Sequence, residues 1–208
     1  MLPRIPPSLR PLLLLLAAAP LLGAASAQQS PAPPADPLEG GAWLKIFQIR
    51  SGSPEPVLLS EDEVNALLGS VQLTAFLTEQ AGLTGVRARL LPGEMQLTGR
   101  VEAERLGAVL GPFAPPPGTP PQPVDLTVEV RGAGGSGTVT ILRGTVAGVE
   151  LPPDVIAQAV LGGLVGFSEA GREQVRGPIL AGEPFSLPAG LAGIELRAGE
   201  VLLLPAPP

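Results

Sequence analysis

Three acids in succession, Glu61-Asp62-Glu63, stand at the head of an apolar run in the stretch VLLSEDEVNALLGSV, residues 57–71. Grouped carboxylates are what a divalent cation or acid–base chemistry would need. The spacing also has a plainer explanation. Ser60 followed three residues later by Glu63 is a capping box, and negative charge in a first helical turn is favoured by the helix dipole. Val64, Leu67, Leu68 and Val71 recur at helical spacing, so a helix is predicted from 61 to about 70. Its continuation to Gln80 is left open, with Gly82 as a stop. Asn65 borders the apolar stripe. Its amide is expected to bond free backbone groups of a neighbouring strand and so fix the helix against the sheet. Ser60, Glu63 and Asn65 are therefore read as a structural motif.

Other reactive constellations are few. Glu102 and Glu104 form a second dense acid pair, but Glu102 falls on the polar face of a predicted strand. A glycosidase-like dyad usually works beside sugar-stacking aromatics, and the chain holds one Trp, five Phe and no Tyr. Histidine and cysteine are absent, which excludes Ser-His-Asp and Cys-His catalysis and the usual zinc sites. Ser136 lies in GGSG, 134–137. This lacks both the G-x-S-x-G spacing of a nucleophile elbow and the Lys-Ser/Thr ending of a phosphate loop. A tight hairpin is predicted there. No enzyme activity, metal or cofactor is expected.

The charge balance narrows the partners. Lys and Arg total 13 against 19 Asp and Glu, a net charge of −6. The one lysine is Lys45 and the arginines are dispersed along the chain. Nucleic acid is therefore not expected as a partner, because neutralising phosphates takes clustered cations. Electrostatic docking on anionic lipid headgroups is expected to be weak for the same reason, although transient membrane contact stays open.

The elements that would position a site come next. Residues 1–27 read as a signal peptide: Arg4 and Arg10, a short apolar run to Leu22, and Ala25-Ser26-Ala27 as a small-x-small cleavage pattern. The protein is thus expected to be exported, and to be periplasmic or extracellular. Residues 28–41 read as a Pro/Ala-rich tether, 42–204 as a single α+β domain, and 205–208 as a frayed tail. AWLKIFQ, 42–48, fits either a strand or a short helix.

Val86 to Leu90 and Met95 to Val101 alternate around Pro92-Gly93, a predicted β-hairpin. ERLGAVLG, 104–111, suggests a short helix, and APPPGTPPQP, 114–123, a connection that cannot pair in a sheet. Val124, Leu126, Val128 and Val130 alternate with polar residues, and Thr138 to Leu142 is predicted to return as the partner strand. Thr145 to Leu151 adds another strand. Pro152-Pro153 opens a second helix whose apolar stripe is Val155, Ile156, Ala159, Val160, Leu164 and Phe167. That helix is nearly apolar all round, as a helix enclosed by a sheet is. Residues 193–196 and 201–204 close the domain as a hairpin. The pattern is a meandering antiparallel sheet with two main helices.

The ordered set LLSEDEVNALL, VRARLLPGEMQLTGRV, VTILRGTVAGVELPPDVIAQAV and LPAGLAGIELRAGEVLLL, covering about 57–204, resembles the YpmS-like and LmeA-like exported bacterial proteins. The resemblance implies a tubular lipid-binding (TULIP-like) fold, a curved antiparallel sheet wrapped around helices. It also implies an envelope location and a role in binding lipid, and no catalytic residue. An inner slot would be lined by alternate strand residues Val86, Leu90, Leu97, Val101, Leu126, Val128, Val130, Val139 and Ile141. The helix faces would contribute Leu67, Leu68, Val71, Val160 and Leu164. Each methylene buried in such a slot contributes about 0.8 kcal/mol, so an acyl chain needs no polar motif to be held. The same residues equally suit a filled core. A scaffold that binds a protein partner through a sheet edge or through AWLKIFQ is the alternative to lipid binding.

Overall fold

A computed structural model describes residues 36–110, 115–116, 118–163 and 176–207. The expected signal segment, most of the tether, and Leu164 and Phe167 lie outside the described residues.

The first described element is helix α1, Pro37–Arg50. Asp36 caps it by accepting from the Leu38 N–H at 2.8 Å, Pro37 occupies its first turn, and Arg50 its last. These are ordinary start and stop signals. They settle the ambiguous 42–48 stretch as helix and move the end of the expected tether back, since 37–41 belong to α1. Strand β1, Val57–Ser60, leads directly into α2, Glu61–Leu68. The capping box is complete, with Glu63 N–H donating to Ser60 Oγ and Ser60 N–H to Glu63 Oε2. The expected single helix instead breaks at Gly69-Ser70. A separate α3, Val71–Phe76, starts with its own cap at Ser70, and a π-type turn, Leu77–Ala81, ends at Gly82 in the left-handed conformation. Val71 sits in the first turn of α3 and is 85% exposed. The stripe therefore ends at Leu68.

Strands β2, Leu83–Leu91, and β3, Glu94–Val101, form the predicted hairpin. A bulge between Thr84 and Arg87 is made possible by Gly85 at φ 60°. Helix α4, Ala103–Leu110, follows. Strand β4 runs Gln122–Ala133 and β5 Ser136–Val146. Gly134 and Gly135, both at positive φ, form the two-residue turn between them. Two expectations change here. Gln122 and Pro123 do pair, with Val101 and Arg100, because proline is tolerated at the start of a strand. The return strand continues to Val146 before Ala147 and Gly148, also at positive φ, turn it into the short β6, Val149–Leu151.

Helix α5 spans Pro153–Gly163, and β7, Phe185–Ser186, adds to β5. The closing hairpin is β8, Leu191–Arg197, with β9, Glu200–Pro205. Pro205 pairs with Leu191, and Ala206 N–H donates to Gly190 O, so the strand extends into the expected tail.

Over the described residues the result is α+β: a large open antiparallel sheet of nine strands with several helices rather than two main ones. Its order is β1-β9-β8-β4-β3-β2, with β5 on the other side of β4 and carrying β6 and β7. One side of β4 is shared. It pairs with β3 from Gln122 to Glu129 and then meets β8 at Gly132↔Ile194. The hairpin tips join at this fork, where Gly93 N–H donates to Leu196 O, Val130 N–H to Gly93 O, and Gly199 N–H to Leu90 O. The core lies on one face of the sheet under α1 and α2, around Leu59, Val64, Leu90, Met95, Val128 and Val201.

Candidate functional site

The three acids of α2 do three different things. Glu61 accepts the Leu90 N–H at 2.7 Å. Asp62 is exposed. Glu63 is buried and bonded to Lys45 Nζ at 2.7 Å from Oε1 and 2.8 Å from Oε2. Burial alone would raise the Glu63 carboxyl, but the Lys45 ammonium and the Ser60 backbone outweigh it and hold it below the usual glutamate range. A group depressed on folding stabilises the fold above its unfolded pKa, and that stability is lost as pH falls through the folded value. Acid melting should therefore steepen below the usual glutamate range, and Glu63→Gln should remove that part of the pH dependence. At neutral pH the same change should cost about 1.5 kcal/mol, the low end for a hydrogen-bonded charge because Lys45 is partly solvated. Thermal melts from pH 7 down to pH 3 would check both.

Asn65 lies one turn beyond Glu61. Its Nδ2 donates to Ala88 O at 2.8 Å and to Glu61 O at 2.9 Å, and its Oδ1 accepts the Ala88 N–H at 2.8 Å. Among the described residues β2 ends the sheet order, so Ala88 and Leu90 present backbone groups with no described strand to bond. Glu61 and Asn65, four apart on one helix face, satisfy three of those groups. The amide thus bonds free strand backbone as expected. Glu61 is the member of this clasp that sequence reasoning missed, having been assigned to the helix dipole. Glu102 lies 3.9 Å from Arg105, and Glu104 is exposed.

The expected slot residues divide into groups. Leu67, Leu90, Val128, Val130 and Val139 are buried within the main core. Val101 is buried too, as are Ala103 and Leu106 of α4, outside the main core cluster. Leu68, Leu97, Leu126 and Ile141 are half-buried and pack against the core, and Val86 and Val160 are half-buried as well. Register places these strand residues on one face, in the rows Leu90–Met95–Val128–Ile141 and Ala88–Leu97–Leu126–Gly144. Glycines make room on that face. A Cβ at Gly99 would lie 3.4 Å from Val86 Cγ2, and one at Gly144 would lie 2.6 Å from Ile156 Cδ1. Helix α5 therefore packs on the same face as α2. Val71 does not join the group.

A depression of about 550 Å³ lies elsewhere, at the fork, on backbone of Gly93, Gly132 and Gly137 and walled by Arg131, Thr138 and Glu195. Of the described expected lining residues, Val130 alone touches it. Both charged walls are already paired, Arg131 with Glu129 and Glu195 with Arg197. Among the described residues no helix is long and apolar enough to cross a membrane.

No protein-family model matches the chain, and comparison with curated proteins finds no match.

Proposed function

We propose that this is an exported, non-catalytic envelope protein that holds a lipid-like apolar ligand on the helix-facing side of its sheet, in a TULIP-like manner. The observation that carries the reading is the half-buried aliphatic strip of Leu97, Leu126 and Ile141, continued by Leu68 of α2 and Val160 of α5. The strip adjoins the closed core yet keeps part of its apolar surface open, which an acyl chain would cover. It offers no charged group, so binding would rest on area alone, at about 25 cal/mol per Å².

Native mass spectrometry of the protein purified from its own envelope should show co-purifying lipid, and a fluorescent fatty acid should be taken up. Leu97→Asn and Leu126→Asn should each weaken uptake about tenfold, the worth of one leucine contact, while the melting temperature of the purified variants reports that they remain folded. No co-purifying lipid together with no uptake would remove this reading.

A second reading, a scaffold for a protein partner, is supported by the outward face of α1. Leu44 is 61% and Phe47 66% exposed. Trp43, by contrast, packs against the core and donates to Glu39. A pull-down lost on Phe47→Ala, with no lipid uptake, would favour that reading.

A further inference from the structure

The arginines are dispersed along the chain, but the strand register gathers four of them. Arg89, Gln96, Thr127 and Arg143 lie directly opposite one another across β2, β3, β4 and β5. Arg87, Thr98, Asp125 and Thr145 form the next row, and Arg100 follows Thr98 on the same face. Side chains alternate along a strand, so this face is the reverse of the one that carries Leu97, Leu126 and the helices. Arg87, Arg89, Arg100 and Arg143 are all exposed, and none forms an ion pair among the described residues. Arg100 donates only to Pro121 O, and Arg143 to Thr127 Oγ1.

Four acids share the face, the fourth being the exposed Glu150 of β6 opposite Thr145. Asp125 accepts from Gln96, Glu129 is paired with Arg131, and Glu94 lies at the β2–β3 turn. With Arg131 the face carries five arginines against these four acids, a surplus of one positive charge on a chain of net charge −6. The opposite side of the sheet carries the acids of α1 and α2, including Glu39, Glu61 and Asp62. The molecule is polarised across its sheet.

We infer that the outer face of β2–β5 docks on a bilayer surface bearing anionic headgroups. The arginines are spread in two dimensions, over three strand spacings of about 4.8 Å and along the strands as well. A linear acidic polymer would meet one row at a time, whereas a plane of phosphates meets all of them. The intervening residues are mainly threonine and glutamine, short enough to leave the guanidinium groups foremost. Each guanidinium presents a fork suited to phosphate oxygens, and the polarisation turns this face toward negative charge during approach. This inference does not depend on the apolar-ligand reading, because it uses the other face of the sheet.

The test is co-sedimentation of the full chain with two kinds of vesicle: phosphatidylcholine alone, and phosphatidylcholine with phosphatidylglycerol in equal parts. The neutral vesicles measure whatever the apolar N-terminal run contributes. Binding to the anionic vesicles should exceed that baseline and fall with added salt. The triple variant Arg87→Gln, Arg89→Gln, Arg100→Gln should reduce the anionic component at least about tenfold. The variant Arg50→Gln, Arg105→Gln, which removes charge from helices α1 and α4 on the other side of the sheet, should retain most of it. Equal binding to both vesicle types would overturn the inference. So would wild-type behaviour of the triple variant, an equal loss in the off-face variant, or a preference for soluble polyphosphate over the anionic vesicles.

Discussion

Replacing Asn65 by alanine is expected to destabilise the protein by about 3 kcal/mol, because it strands backbone groups rather than merely deleting a contact. The Ala88 N–H and C=O each lose their partner, and the partly buried site under α2 gives water little access to replace them. For a chain of this size the melting temperature should fall by roughly 6–12 °C. Asn65→Asp is the informative companion. It keeps the acceptor for the Ala88 N–H and loses the donor to Ala88 O, setting a carboxylate oxygen against that carbonyl. It should therefore destabilise at least as much as alanine. An alanine variant with unchanged melting behaviour but lost ligand uptake would show that Asn65 serves the ligand rather than the fold.

The second large effect is expected at the fork. A Cβ on Gly132 would lie 2.8 Å from the backbone nitrogen of Ile194 and 3.2 Å from its Cβ. Backbone cannot swing aside as the end of a side chain can, so β4 and β8 would have to separate where they pair. Gly132→Ala is expected to cost about 3 kcal/mol, the upper part of the usual range for overpacking. Gly134→Ala provides the comparison. It sits at φ 58° with nothing within 4 Å of an added Cβ, so it should show only the conformational penalty of about 1 kcal/mol. Chemical denaturation of the two variants, with unchanged slope, would separate the effects. Equal losses would mean that the junction yields easily and does not hold the two hairpins together.

Both predictions concern how separate elements are joined, α2 to the β2 edge and β4 to β8, and that was the least legible part of the chain. The β2–β3 and β8–β9 hairpins could be read locally from alternation around Pro92-Gly93 and Ala198-Gly199. The α2 cap could be read from Ser60 and Glu63, and the opening of α5 from Pro152-Pro153. Helix α1 was obscured because Asp36-Pro37 lies in a Pro-rich stretch and Gly40-Gly41 discourages helix. Packing of Ala42 and Ile49 into the core outweighs that propensity. The break at Gly69-Ser70 was hidden by an apolar pattern that runs on through Val71.

The same division holds for the candidate sites. Alternation marks Leu97, Leu126 and Ile141 as one face of their strands, but it cannot say whether that face is closed or open. Burial depends on where α2 and α5 come to rest. The amide of Asn65 announces a need for partners without naming Ala88, and Glu61 looked sufficient as a helix-dipole charge until the β2 edge was placed beside it. The arginines are the sharpest case. Positions 87, 89, 100 and 143 are far apart along the chain and become one surface only through the order β2-β3-β4-β5 and its register. Caps, turns and alternation arise from interactions within a few residues, so the chain carries them openly. Strand order, register and helix placement arise from contacts between distant segments, and they emerge only once the core has chosen among the packings that the local pattern permits.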